Sequence, residues 1–183
     1  MEWTIPGTVI RVPRSDVEAT IRQIEGMFLG GGMIRSQLAS VSGVEAHDIQ
    51  NWVKRGFLPS PVNKRYSCSQ FCRIVIINML RTAMPMEQIC SLLGWVNGRL
   101  DDESDDLIDD ADLYFMFVRL ASRARHMTDT EEWETAISTV LADYEEPIPG
   151  AKERISKVLR IMLTAWIASR LRQSAEAMLQ VLE

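Results

Sequence analysis

Between Gly43 and Gly56 the chain reads GVEAHDIQNWVKRG. His47, Gln50, Asn51 and Lys54 recur there at three and four residues, opposite an apolar set of Val44, Ile49, Trp52 and Val53. Groups spaced in this way share one face of a helix. A face of amides and cations is either hydrated or reads a partner. Gln and Asn can pair bidentately with the edge of adenine, and Lys or Arg can neutralise phosphate. Lys54-Arg55 at the end of this stretch and Lys64-Arg65 shortly after it supply cations of that kind.

Other residues capable of chemistry form less complete sets. The chain has 3 Cys and 2 His. Cys68 and Cys72 lie one helical turn apart and could hold a thiophilic metal or act as a redox pair; the competing reading is small hydrophobes in a core. With only His47 and His126 to add, a complete zinc site is hard to build, and an odd cysteine count without CxxC argues against a disulfide framework. Asp101, Asp105 and Asp109 recur every four residues, but the calcium-loop glycine and terminal glutamate are missing, so a solvated acidic linker is the expectation. Gly30-Gly31-Gly32 has no following Gly-Lys-Ser/Thr and reads as a helix stop. No nucleophile motif, metalloprotease motif or phosphate loop occurs. The expectation is a protein that is not an enzyme and has neither cofactor nor metal.

The charge is unevenly spread. The formal net charge is −5, which by itself speaks against nucleic acid. From Arg35 to Arg81, however, stand Arg35, Lys54, Arg55, Lys64, Arg65, Arg73 and Arg81 against only Glu45 and Asp48. Residues 101–112 are acidic and contain no base. A basic middle followed by an acidic connector is more informative than the mean. At 183 residues, 46% hydrophobic and 25% charged, the chain has the composition of one ordinary globular domain or two small ones. No apolar run reaches the ~18 residues of a membrane span, and MEWTIPGTVIRVP lacks the pattern of a signal peptide. A cytoplasmic location is expected.

These groups need elements to position them. A first helix is predicted over 15–28, opened by a Ser15/Glu18 capping box. Ile34 to Val41 and the stretch after Gly43 form two short helices around a tight turn at Ser42-Gly43. Residues 57–67 read as a small hairpin, or wing, closing on Arg65-Tyr66. Ser67 or Ser69 caps the next helix, Met84-Pro85 ends it, and one short helix containing Glu87 to Leu93 follows. Helices are then expected over 113–127, 130–144 and 152–182, with no strand apart from the wing. The fold class is mainly α. Four regions result: 1–32, an N-terminal segment and helix; 33–94, a winged helix-turn-helix; 95–112, the acidic linker; and 113–183, a C-terminal helical region.

The run Gly43-Val44, Trp52, Gly56-Phe57-Leu58-Pro59, Arg65-Tyr66-Ser67, Leu80-Arg81 and Met86-Glu87-Gln88-Ile89 resembles, in order and spacing, the MerR-type winged helix-turn-helix. Within that superfamily it looks most like the bacterial family called domain of unknown function 1836, through Ile49 to Gly56, Pro61 and Lys64-Arg65-Tyr66-Ser67. The resemblance covers roughly 9 to 120. It implies a recognition helix at 45–54 with His47, Gln50 and Asn51 facing DNA, and a wing at 59–66 with Lys64, Arg65 and Tyr66 beside the backbone-contacting surface. His47 stands where many relatives carry Arg, and the wing is short. The expected function is a transcriptional regulator that reads a palindrome in double-stranded DNA as a homodimer, with no membrane association and an effector, if any, unknown. The alternative is a non-enzymatic protein-interaction module on a winged-helix scaffold. A broad apolar stripe from Ile155 to Leu182 suggests that the C-terminal helices supply the dimer contact.

Overall fold

The structure, a computed structural model, describes residues 2–100, 103–124 and 130–181. Strands β1 (Glu2–Thr4) and β2 (Arg11–Pro13) pair antiparallel, Trp3 opposite Val12, and are followed by α1 (Val17–Gly26). Then come β3 (Met33–Ile34), α2 (Arg35–Ser42), α3 (Ala46–Lys54), β4 (Arg65–Tyr66), α4 (Cys68–Leu80) and α5 (Met86–Asn97). A 3-10 turn at Glu103–Asp105 leads to α6 (Asp110–Arg123), α7 (Thr130–Val140) and the long α8 (Ala151–Gln180). The molecule is mainly α, as expected, with two small two-stranded sheets.

The centre is α4. Phe71 to Ile77, Met79 and Leu80 are all buried, so this helix is covered on every side rather than along one stripe. It packs on α2, α5, α6 and α8. Ser67 opens it with a capping box: its hydroxyl accepts from the backbone N–H of Gln70 at 3.2 Å, and Gln70 Oε1 accepts from Ser67 N–H at 2.8 Å. Of the two serines expected at this position, Ser67 is the cap. In α1 the cap differs from expectation. Asp16 Oδ1 accepts from Ala19 N–H at 3.1 Å, displacing the Ser15/Glu18 pattern by one residue, while Glu18 turns away to bind Arg119 of α6 through two bonds of 2.7 and 2.8 Å.

The β1–β2 hairpin is a strand pair outside the expected wing. Its strands are three residues long, too short for a period of two to register, and β2 ends in proline. Tertiary contacts hold it. Asn78 Nδ2 donates to Gly7 O and Ser42 O at 3.0 and 3.1 Å, and Tyr114 Oη donates to Pro6 O at 2.7 Å. Gly7 has φ 75°, and a Cβ there would sit 2.2 Å from the carbonyl oxygen of Val75. The loop therefore lies directly on the backbone of α4, which only glycine allows.

Part of the acidic stretch is anchored to the core, while Asp105, Asp109 and Asp112 are exposed. α5 continues through Gly94 to Asn97, and Val96, Leu107 and Ile108 are buried. Asp105 accepts from the N–H of Arg99, and Asp109 caps α6 at Ala111 N–H (2.7 Å) and accepts from Ser69 Oγ (2.6 Å). Asp110 is the partner of buried Arg73. These carboxylates organise the end of α5 and the start of α6. Asp101, the first of the four-residue repeat, and His126 lie outside the described residues. The stripe of α8 is buried from Ile155 to Trp166, and beyond it Leu171, Met178 and Leu179 are exposed; Leu182 falls outside the described residues. Among the described residues no helix is long and apolar enough to cross a membrane.

Candidate nucleic-acid interface

The turn between α2 and α3 is made by Gly43, which ends α2 in the left-handed region at φ 71° and donates its N–H to Ala39 O at 2.9 Å. A Cβ there would approach Val9 Cγ1 to 2.7 Å. Ser42 Oγ donates to Leu38 O at 2.7 Å and accepts from Val44 N–H at 3.2 Å, closing the turn from inside. Val44, Ile49 and Trp52 then fall into the core at 1%, 0% and 6% exposure, and Val53 is half-buried. Burying such side chains contributes about 1.5–3 kcal/mol each. This fixes the rotation of α3. His47, Gln50, Asn51 and Lys54 are consequently all exposed, as their spacing predicts.

At the expected wing the chain forms a two-residue hairpin turn. Val62 and Arg65 exchange hydrogen bonds of 3.1 and 2.9 Å around Asn63 and Lys64, which have φ values of 50° and 64°. Positive φ at both central positions is the type I′ pattern that suits the twist of antiparallel strands. Asn tolerates it; Lys does so at a cost. After the tip, β4 pairs with β3, Tyr66 opposite Met33, so the sheet is completed by the residues just ahead of α2. Lys64 and Arg65 are exposed, and Arg65 Nη1 donates to Gly32 O at 2.8 Å. Tyr66 is 4% exposed. It packs in the core and presents almost no surface to a partner. Burial raises its phenol pKa, opposed by the charge of Arg35.

The cations are not equally free. Arg55 lies 3.6 Å from Glu87 and 4.5 Å over the ring of Phe57. Arg81 reaches back to α3, 3.4 Å from Asp48 Oδ2 and 5.5 Å over the ring of Trp52. His47 Nε2 lies 3.2 Å from the other oxygen of Asp48. Arg73, counted in the basic stretch, is 6% exposed and takes no part in the surface. Among the described residues, Arg35, Lys54 and Lys64 have no ion-pair partner. Spacing does not single out Asp48, yet it organises two basic groups beside the α3 face; Arg81 is 33 residues away in sequence, so only the fold brings the pair together.

The thiols form no open site. Cys72 is fully buried and Cys68 half-buried; their mutual hydrogen bond lowers the pKa of Cys68, and burial pushes that of Cys72 well up. Among the described residues no three His, Cys, Asp or Glu side chains are grouped to hold a metal ion.

Residues 34–117 match the family described as Domain of unknown function (DUF1836). This supports the resemblance to that family over somewhat less than half of the chain, starting at β3 rather than near residue 9 and ending within α6. No curated protein and no solved structure matches the chain.

Proposed function

We propose that residues 33–94 form a MerR-like winged helix-turn-helix and that the protein is a DNA-binding transcriptional regulator, not an enzyme. The observation that carries this reading is the rotation of α3. Ile49 and Trp52 anchor one side in the core, leaving His47, Gln50, Asn51 and Lys54 as a continuous exposed face. A helix presented in this way can enter a major groove and offer amides to adenine. Lys64, at the tip of the hairpin, and Arg65 then contact phosphate, as does Lys54, and these ionic contacts supply most of the affinity. The resemblance of 34–117 to a family of unknown function is compatible with this role and does not specify it.

A single unit of this size covers a short half-site, so specific reading calls for two copies and a palindrome. The exposed end of α8, with Leu171 at 67%, Met178 at 69% and Leu179 at 62%, is the surface we assign to the homodimer. Enrichment of duplexes from a random pool tests the reading: a palindromic consensus is expected, and enrichment of no sequence counts against it.

The second reading, a protein-interaction module on the same scaffold, draws on the pairing of Arg55 with Glu87 and of Arg81 with Asp48. These pairs leave fewer free cations than the sequence promises. Such a module binds no DNA at low salt.

A further inference from the structure

A cleft of about 760 Å³ opens between the β1–β2 hairpin, the end of α4 and the C-terminal half of α8. Arg11, Arg14, Arg81 and Arg170 line it, against a single carboxylate, Glu2. This is a dense cationic site on a chain whose net charge is −5. Its volume falls in the range of small-molecule sites. Neither α3 nor the hairpin tip contributes to it.

Two features distinguish the cleft from a chance gathering of surface arginines. First, two of the four guanidinium groups are positioned by aromatic rings of the cleft wall: Arg14 lies 4.6 Å over Trp3 and Arg170 lies 4.9 Å over Trp166. Both indoles are more than nine-tenths buried, so each ring is a fixed platform; Arg14 Nη1 also donates to Ser122 O at 3.4 Å, and the planar fork of Arg170 on Trp166 is held ready for bidentate binding of phosphate or carboxylate. Second, the indole Nε1–H of Trp3 is buried among the described residues with no acceptor. A buried donor of this kind is rare in a finished core. At the wall of the cleft, Thr82 Oγ1 and Ser169 Oγ lie 2.6 Å apart; since Ser169 donates to Ala165 O, Thr82 is the donor of that pair and keeps acceptor capacity only.

We propose that this cleft binds a small polyanion, a metabolite carrying clustered phosphate or carboxylate groups, and that Arg81 couples the cleft to α3. Arg81 belongs to both places: it lines the cleft and pairs with Asp48 across Trp52. An anion in the cleft competes with Asp48 for the same guanidinium. Occupancy therefore loosens the only ion pair through which, among the described residues, α3 is tied to the end of α4. The inference goes beyond DNA binding and does not depend on it.

Calorimetric titration of the full chain, without DNA, tests it. Pyrophosphate and citrate are the probes, with sodium chloride at matched ionic strength as control. Saturable binding of either probe supports the site, and the preferred probe identifies phosphate or carboxylate as the ligand group. Arg11→Gln combined with Arg170→Gln, both at exposed positions, is expected to weaken binding at least about ten-fold while leaving the circular dichroism spectrum unchanged and the thermal midpoint within about 4 °C of the parent, the change that loss of the Arg170 contact with Trp166 allows. Asp48→Asn, which removes the competitor for Arg81, is expected to tighten binding about two- to five-fold, the ratio equivalent to an exposed ion pair. Absence of saturable binding overturns the site. Equal binding by the double variant means the anion sits elsewhere and overturns it too. An Asp48→Asn variant that binds no tighter removes the coupling.

Discussion

Arg73 of α4 and Asp110 of α6 form an ion pair in the interior: Nη1 lies 3.1 Å from Oδ2, and the two side chains are 7% and 12% exposed. Arg73 Nε also donates to Phe57 O at 3.0 Å, and Asn97 Nδ2 donates to Asp110 Oδ1 at 2.9 Å. One pair thus joins the loop after α3, the end of α5 and the start of α6. Burial raises the Asp110 carboxyl above its ordinary pKa, and Arg73 pulls it back down.

Arg73→Met is expected to cost about 3–5 kcal/mol at pH 7, because it leaves the buried Asp110 carboxylate without its cation and with only the Asn97 amide as partner. Without Arg73 the folded-state pKa of Asp110 rises further, so the folded chain holds this proton more tightly than the unfolded one. The destabilisation must then shrink as pH falls through that raised pKa. Arg73→Met with Asp110→Leu recovers most of the loss. Urea unfolding at pH 7 and pH 5 measures it; a penalty independent of pH contradicts the assignment.

Replacing Gln50 and Asn51 together by Ala should change stability by less than about 0.5 kcal/mol, since both are exposed on α3. Affinity for the best enriched duplex should fall by about 1–3 kcal/mol per lost base contact. A double variant that binds that duplex as the parent does removes α3 from the base-reading role.

Lys64→Gly separates strain from charge. At φ 64° the lysine backbone pays about 1–2 kcal/mol relative to glycine, offset in part by the greater entropy of the unfolded glycine chain. The thermal midpoint should therefore hold or rise. At the same time, if Lys64 contacts a phosphate, the slope of log affinity against log salt should lose about one unit. A stable variant with an unchanged slope takes the hairpin tip out of the interface.

The α8 end is expected to hold two copies together. Light scattering at micromolar concentration should give twice the 20.8 kDa of one chain, and Met178→Glu with Leu179→Glu should return it to 20.8 kDa, since charges in an apolar interface are strongly disfavoured. A parent of 20.8 kDa ends the palindrome argument.

The local parts of this fold are legible in the sequence because they rest on short-range rules. Ser67 or Ser69 announces the start of α4, Gly43 the turn, and Ile49 with Trp52 the buried side of α3. What escaped depends on distant partners. The β1–β2 hairpin is held by Asn78 and Tyr114, more than 70 residues away. Arg73 looks like one more surface cation until Asp110 is placed beside it, and Arg81 shows its attachment to Asp48 only in three dimensions. For the site, spacing gives the face of α3 and the tip at Lys64, whereas the arginine cleft combines residues from both ends of the chain and has no local pattern.

Binding of the unmodified protein to mixed-sequence duplex DNA, followed by fluorescence anisotropy from 50 to 200 mM salt, bears most directly on the central claim. The account predicts binding at the low end that weakens as a straight line of log affinity against log salt. With Lys54, Lys64 and Arg65 as the exposed cations of α3 and the wing, two copies give a slope of about −5. Absence of binding at 50 mM salt, or binding that does not change with salt, contradicts it and leaves the interaction-module reading in place.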